Sequence, residues 1–203
     1  MKHCFSKMII LGIIAAWQLS AGPVTIVQDI TPGGTISLSW YFGETFQTPA
    51  GGPWNTLTFN FYSAVSPTSE LPTTPAAAGT LYLLSSEYLG APSDLSSSVP
   101  GYIASTSTVS GGVWDFASSL TAAANTQYWV YDTTALAIAG ATTAGGYYYS
   151  DEFGDTFNGP VTSGDLNFNF SGTVVTTSGT PEPTTLLLMA PALLLVLRRR
   201  LTR

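Results

Sequence analysis

The chain reads as an all-β protein, one antiparallel β-sandwich of jelly-roll-like layout set between two apolar ends. Three observations lead there. Short apolar–polar alternations recur along the body, turn formers punctuate them, and stretches with helical periodicity are scarce. Leu57, Phe59 and Phe61 alternate with Thr56, Thr58, Asn60 and Tyr62, while Leu166, Phe168 and Phe170 alternate with Asn167, Asn169 and Ser171. A period of two puts each apolar set on one face of a half-buried strand.

Taken in order, the expected strands cover residues 24–30, 35–41, 56–62, 80–84, 103–109, 112–116, 127–132, 147–150 and 166–171. Pro32-Gly33-Gly34 divides the first two, and Gly51-Gly52-Pro53 precedes the third. Pro100-Gly101 and Gly111-Gly112 bound the fifth, Gly145-Gly146 opens the eighth, and Asn158-Gly159-Pro160 reads as a turn before the last. The best helical stretch, 118–125, reads instead as a turn leading into the strand at Tyr128. Residues 63–79, with three prolines, and the serine-rich 91–101 read as mobile surface excursions within one domain. Short strands with regular turn signals favour the antiparallel sandwich.

Charge is distributed in an unusual way. All six Lys and Arg residues lie near the termini, as do His3 and Cys4, the only histidine and cysteine. Of the twelve acidic residues, only Glu182 lies in the tail, so the body between 22 and 178 carries eleven acids and no base. Nucleic-acid binding needs Lys and Arg against phosphates, so no nucleic-acid partner is expected. Phosphate-cradling sites, Ser-His-Asp and Cys-His nucleophiles, and Cys/His zinc sites are excluded in the same way. Carboxylate chemistry, oxygen-ligated calcium, or no chemistry remain.

The ends read as targeting segments. Lys2 and Lys7 precede an apolar run from Met8 to Trp17, followed by polar or small Gln18-Leu19-Ser20-Ala21. That is a secretory signal peptide over residues 1–21, with cleavage by signal peptidase expected between Ala21 and Gly22. Once cleaved, the chain holds no thiol, so its stability in an oxidising compartment must come from its core. A body over 22–178 is long enough to build one.

At the other end Pro181-Glu182-Pro183 is followed by fourteen uncharged, mostly apolar residues, then Arg198-Arg199-Arg200. As a helix that run reaches only about 21 Å, short of a hydrocarbon layer of about 30 Å, which suits a transient anchor better than a permanent one. The arginines should stay cytoplasmic and leave the body outside the inner membrane. The prolines keep the segment before the run extended.

This layout of tripeptide, apolar run and arginine cluster over residues 179–203 resembles the PEP-CTERM sorting signal of bacterial exported proteins. The resemblance implies transient anchoring in the inner membrane, processing by an exosortase, and delivery to the cell surface or extracellular matrix. In the body, Phe42-Gly43-Glu44-Thr45-Phe46-Gln47-Thr48-Pro49, Val113-Trp114-Asp115-Phe116 and Asn125-Thr126-Gln127-Tyr128-Trp129-Val130 are similar to choice-of-anchor β-sandwich domains of bacterial surface proteins. That likeness implies a sandwich and carries over no catalytic residue.

Three candidate sites can be weighed on residue type alone. Asp151, Glu152 and Asp155 form the densest acidic cluster and are calcium candidates, although their spacing departs from the EF-hand loop. Trp114, Trp129, Tyr147, Tyr148 and Tyr149, with Trp40 and Trp54, would suit stacking on sugar rings; equally, they would fill the core of a protein without disulfides. Because three successive tyrosines cannot share one face, at least one of them should be exposed. Asp115 with Asp132 is the carboxylate pair that a glycoside hydrolase would need. The leading expectation is a non-enzymatic exported protein of the surface, biofilm or matrix, associated with exopolysaccharide. A carbohydrate-binding module is the alternative, and a carboxylate glycosidase the third reading.

Overall fold

The computed structural model describes residues 22–32, 35–64, 70–143 and 145–176. The strands follow the alternations read above, with additions. In chain order they are β1 (Val24–Asp29), β2 (Thr35–Gln47), β3 (Trp54–Tyr62), β4 (Pro75–Ala76), β5 (Leu81–Leu84), β6 (Tyr102–Thr106) and β7 (Val109–Ser110). There follow β8 (Val113–Asp115), β9 (Gln127–Asp132), β10 (Leu136–Ala141), β11 (Tyr147–Ser150), β12 (Asn158–Val161), β13 (Asp165–Leu166) and β14 (Phe168–Val174). Among the described residues there is no α-helix, only a 3₁₀ turn at Pro92–Asp94.

The strands form two sheets in which every pairing is antiparallel. One has the order β1-β14-β3-β8-β7, with β4 on β3; the other has the order β12-β11-β2-β9-β5-β6, with β10 on β2 and β13 on β10. A single apolar cluster joins them. Leu57, Phe59, Phe61, Trp114, Phe168 and Phe170 come from the first sheet; Phe42, Phe46, Leu83, Val130, Ile138 and Leu166 come from the second. The ladder sets rings beside rings: Phe59 stands opposite Phe170 and Phe61 opposite Phe168. Phe46 reaches across from the other sheet to within 4.8 Å of Phe170 and 5.7 Å of Phe168, centroid to centroid. Burying aromatic surface of this extent supplies the stability that no disulfide provides.

Several elements extend the sequence reading. The strand expected at 35–41 continues to Gln47, because Phe42 and Phe46 carry the alternation onward and three partners, β9, β10 and β11, share its length. Residues Gly43 to Gln47 pair with β9, and Thr35 to Trp40 lie along β10. Neither β10 nor β12 was expected. Strand β10, Leu-Ala-Ile-Ala-Gly-Ala, has no polar residue to mark an alternation, and Asn158-Gly159-Pro160 forms an edge strand on β11 instead of a turn. Residues 118–125 are not helical, and Ala122 pairs with Trp54 through two backbone hydrogen bonds of 2.8 and 2.9 Å.

The serine-rich stretch is a packed cover rather than a loose excursion. Leu95 is buried against Leu84, Tyr131, Tyr148 and Phe157 on the outward side of the second sheet. Tyr88 fastens this cover, its amide donating to the Tyr131 hydroxyl at 3.0 Å and its own hydroxyl to the Ala91 carbonyl at 2.9 Å.

Candidate functional site

Of the expected sites, the sugar-stacking residues are the most altered by the fold. Trp114 is fully buried between the sheets, its indole N–H donating to the Gly79 carbonyl at 3.2 Å. Trp54 is buried as well. On β11, Tyr147 and Tyr149 pack at the edge of the inter-sheet core, and Tyr148 is buried in the outer cluster. Alternation therefore splits the three tyrosines as expected, but both faces of the strand are covered and none of the three is exposed. Trp129 is half-buried and donates to the Tyr148 hydroxyl at 3.3 Å. Trp114 and Tyr148 thus offer no open ring face to a sugar.

The exposed aromatic is one the sequence reading passed over. Phe153 is 81% exposed at the tip of the loop after β11. It stands at the rim of a hollow of about 300 Å³ shared with Tyr41, Pro92, Ser93, Leu95, Thr133 and Gly154. The loop is held by Asp151, whose carboxylate accepts from the Phe153 amide at 3.0 Å and whose carbonyl accepts from Gly154 at 3.0 Å. Only the chemistry of an exposed ring beside a turn-forming Asp-Glu-Phe-Gly could have pointed to it. A second hollow of about 410 Å³ is lined by Ser105, Thr106, Ser107, Thr108, Asp115, Phe116 and Ala117.

The calcium candidates do not assemble. The Asp151 side chain closes its own turn, Glu152 and Asp155 are exposed, and the Asp155 carbonyl accepts from the Ser150 hydroxyl at 2.5 Å. No group of three or more His, Cys, Asp or Glu side chains suited to a metal ion occurs among the described residues. The glycosidase pair is divided between the sheets: Asp115 lies on β8 in one sheet, while Asp132 is completely buried at the end of β9 in the other. Its carboxylate accepts from the Phe42 amide at 3.1 Å, where the pairing along β2 passes from β9 to β10. Asp132 thus caps an interrupted ladder, and burial holds its proton affinity well above the usual carboxylate range.

One acidic contact was not anticipated. Glu44 lies two residues from Phe42 and two from Phe46, so the period of β2 turns it inward, opposite Val130 of β9. It is fully buried. Its Oε1 accepts from the Thr45 amide at 2.7 Å, and its Oε2 meets no N–H or O–H donor among the described residues. The side chain facing it is Asp165, at the start of β13, whose Oδ1 accepts from the Leu166 amide at 2.9 Å. Two ionised carboxylates are both acceptors, so their contact is a hydrogen bond only when one carries a proton. Burial pushes Glu44 well above the usual range, and its hydrogen bond and charge interaction with Asp165 push it further. An acid at an inward position of an alternating strand is a signal that sequence alone contains.

The residues of the signal cleavage and of the sorting tail lie outside the described residues, except Gly22, which is exposed. No helix among the described residues is long and apolar enough to cross a membrane. Comparison of the chain with protein-family models, curated proteins and solved structures finds no match. Function therefore rests on the residues themselves.

Proposed function

We propose that this is an exported bacterial surface or extracellular-matrix protein without catalytic activity, a jelly-roll-like sandwich delivered by a PEP-CTERM-like tail. The observation that carries the reading is the coincidence at one end of Pro181-Glu182-Pro183, a short apolar run and Arg198-Arg199-Arg200, with a signal peptide at the other. The lack of any basic residue from 8 to 197 supports it, because such a body can sit among polysaccharides without attracting anionic polymers. Signal peptidase, the exosortase and, transiently, the inner membrane are the partners during export, and exopolysaccharide is the partner afterwards.

The test is the mass of the protein outside the cell. Wild-type protein should be recovered lacking both ends, whereas replacing Pro181-Glu182-Pro183 by alanines should leave full-length tail on the inner membrane. A variant shortened and released like the wild type would overturn the sorting reading.

A second reading, binding of a neutral sugar, is favoured by one feature. Phe153 presents an open ring beside a hollow that also holds Tyr41 and the hydroxyl residues Ser93 and Thr133. Flat apolar faces next to hydroxyls suit a sugar ring, and no cation is present to prefer an anionic one.

A further inference from the structure

We propose that Glu44 and Asp165 hold one proton between them, and that this shared proton ties β13 to β2 and makes the sandwich more stable in acid than at neutral pH.

The proposal starts from a deficit. A buried carboxylate is ordinarily balanced by Lys, Arg or His, and the sequence contains none between residues 8 and 197. Glu44 is nevertheless completely buried on the core side of β2, with one oxygen orphaned. Such an oxygen costs free energy unless it finds a partner, and the side chain in reach is another acid. A single proton on Glu44 solves both problems. It gives Oε2 a hydrogen to donate to Asp165, and it removes the repulsion of two charges in contact.

Most of the charged and titratable neighbours favour that state. Asp29, on β1, adds negative charge beside Asp165 and is itself engaged by the Thr143 hydroxyl. Tyr131 on β9 and Tyr148 on β11 are raised by burial, so they stay neutral and bring no positive charge to balance an ionised Glu44. Glu87 lies near Tyr148. The opposing influences are the Thr45 and Leu166 amides. The backbone also closes over the pair. A Cβ on Gly145 would overlap the Asp165 Oδ2, so glycine lets the segment before β11 cover that carboxylate.

The direction of the pH effect follows from linkage. Both acids are raised on folding, so the folded chain keeps a proton that the unfolded chain has released. The stabilisation is complete below the ordinary glutamate value of 4.5 and is lost as pH rises through the pair's folded value. In that window each proton held only by the folded state changes the unfolding constant about tenfold per pH unit. An exported protein meets outside pH directly, which gives the latch a use.

The test is urea unfolding of the full chain, in mild detergent with chelator, from pH 5 to pH 8. Wild-type protein should lose stability as pH rises. Glu44→Gln keeps the shape and cannot titrate, so its slope should be shallower by about one proton, or about tenfold in unfolding constant per pH unit. Asp132, whose carboxylate accepts from the Phe42 amide, is raised by burial and is present in both proteins, so the difference between the two slopes reports on Glu44. Glu152→Gln, on an exposed acid, should leave the slope unchanged. Equal slopes for wild type and Glu44→Gln, or an equal loss of slope in Glu152→Gln, would overturn the proposal. So would added calcium that raises the midpoint of wild type but not of Glu44→Gln, since the site would then hold a cation. If Glu44→Gln does not fold, the carbon resonance of the Glu44 carboxyl in wild-type protein decides: titration at the ordinary glutamate value defeats the idea.

Discussion

The two aromatic regions of this molecule use different rings for different tasks. Between the sheets the rings are Phe46, Phe59, Phe61, Phe168 and Phe170 with Trp114, drawn from both layers and sealed from solvent. On the outward side of the second sheet they are mainly tyrosines: Tyr131 and Tyr148 with Tyr41, Tyr82, Tyr88 and Tyr102 around them, joined by Phe157. Strand β9 serves both, with Tyr128 and Val130 in the first cluster and Trp129 and Tyr131 in the second. The inner region joins mainly strand to strand, and its few polar ring atoms, the Trp114 indole N–H and the Tyr128 hydroxyl, meet the backbone of Gly79 and Ala123. The outer region joins strand to loop, and loops bring unpaired backbone groups that a phenol can satisfy. A chain without disulfides thus fastens its connections with tyrosine hydroxyls.

The largest effect should come from breaking the inner region. Phe59 contacts rings on both sides of the sandwich, Phe46 at 6.1 Å and Phe61 at 5.0 Å between centroids, and has no exposure. Phe59→Ala should cost about 3–5 kcal/mol, enough to leave a domain of ordinary stability near its unfolding threshold. Urea unfolding followed by near-ultraviolet circular dichroism would measure it as one global transition. A cost under about 1 kcal/mol would mean that the two sheets do not share a single core.

The outer region should respond less, and locally. Tyr131→Phe keeps the ring packed against Phe157 at 4.8 Å but removes the acceptor for the Tyr88 amide. The expected cost is about 1–2 kcal/mol, from an amide left without its partner. Hydrogen exchange should quicken at Tyr88 and in the segment 85–101 while β3 and β14 stay protected. Equal acceleration in both regions would show that the cover and the core open together.

How much of this could be read from the chain differs between the regions for the same reason. The inner face announces itself, because Leu57, Phe59 and Phe61 alternate with polar residues and the period names the face. The outer face hides, because Tyr147, Tyr148 and Tyr149 are alike to any periodicity argument, and what covers Tyr148 is a loop some fifty residues away in sequence. Trp114 and Tyr148 were plausible sugar platforms only while their neighbours were unknown. The loop 91–101 looked mobile from its serines, and the buried Leu95 that holds it down is a single apolar residue with no pattern around it. Glu44 is a different case. Its place between Phe42 and Phe46 was legible as an inward acid, but its partner Asp165 lies 121 residues on, beyond any local rule.

The smallest effect on stability, and the sharpest on the comparison, belongs to Phe153. Every other ring discussed here is held by a neighbour, whereas this one projects from the loop that flanks the outer cluster, 81% exposed. Phe153→Ala removes no buried contact and should change unfolding by less than about 0.5 kcal/mol. If the outer region has a task beyond holding loops, this is where it would be felt. Calorimetry with neutral oligosaccharides should then show binding to wild type that weakens at least tenfold in Phe153→Ala, at unchanged stability. Binding that survives the substitution would move any sugar site away from this hollow. Binding absent in both would leave the tyrosine cluster with a purely architectural role, the outer counterpart of the phenylalanine core.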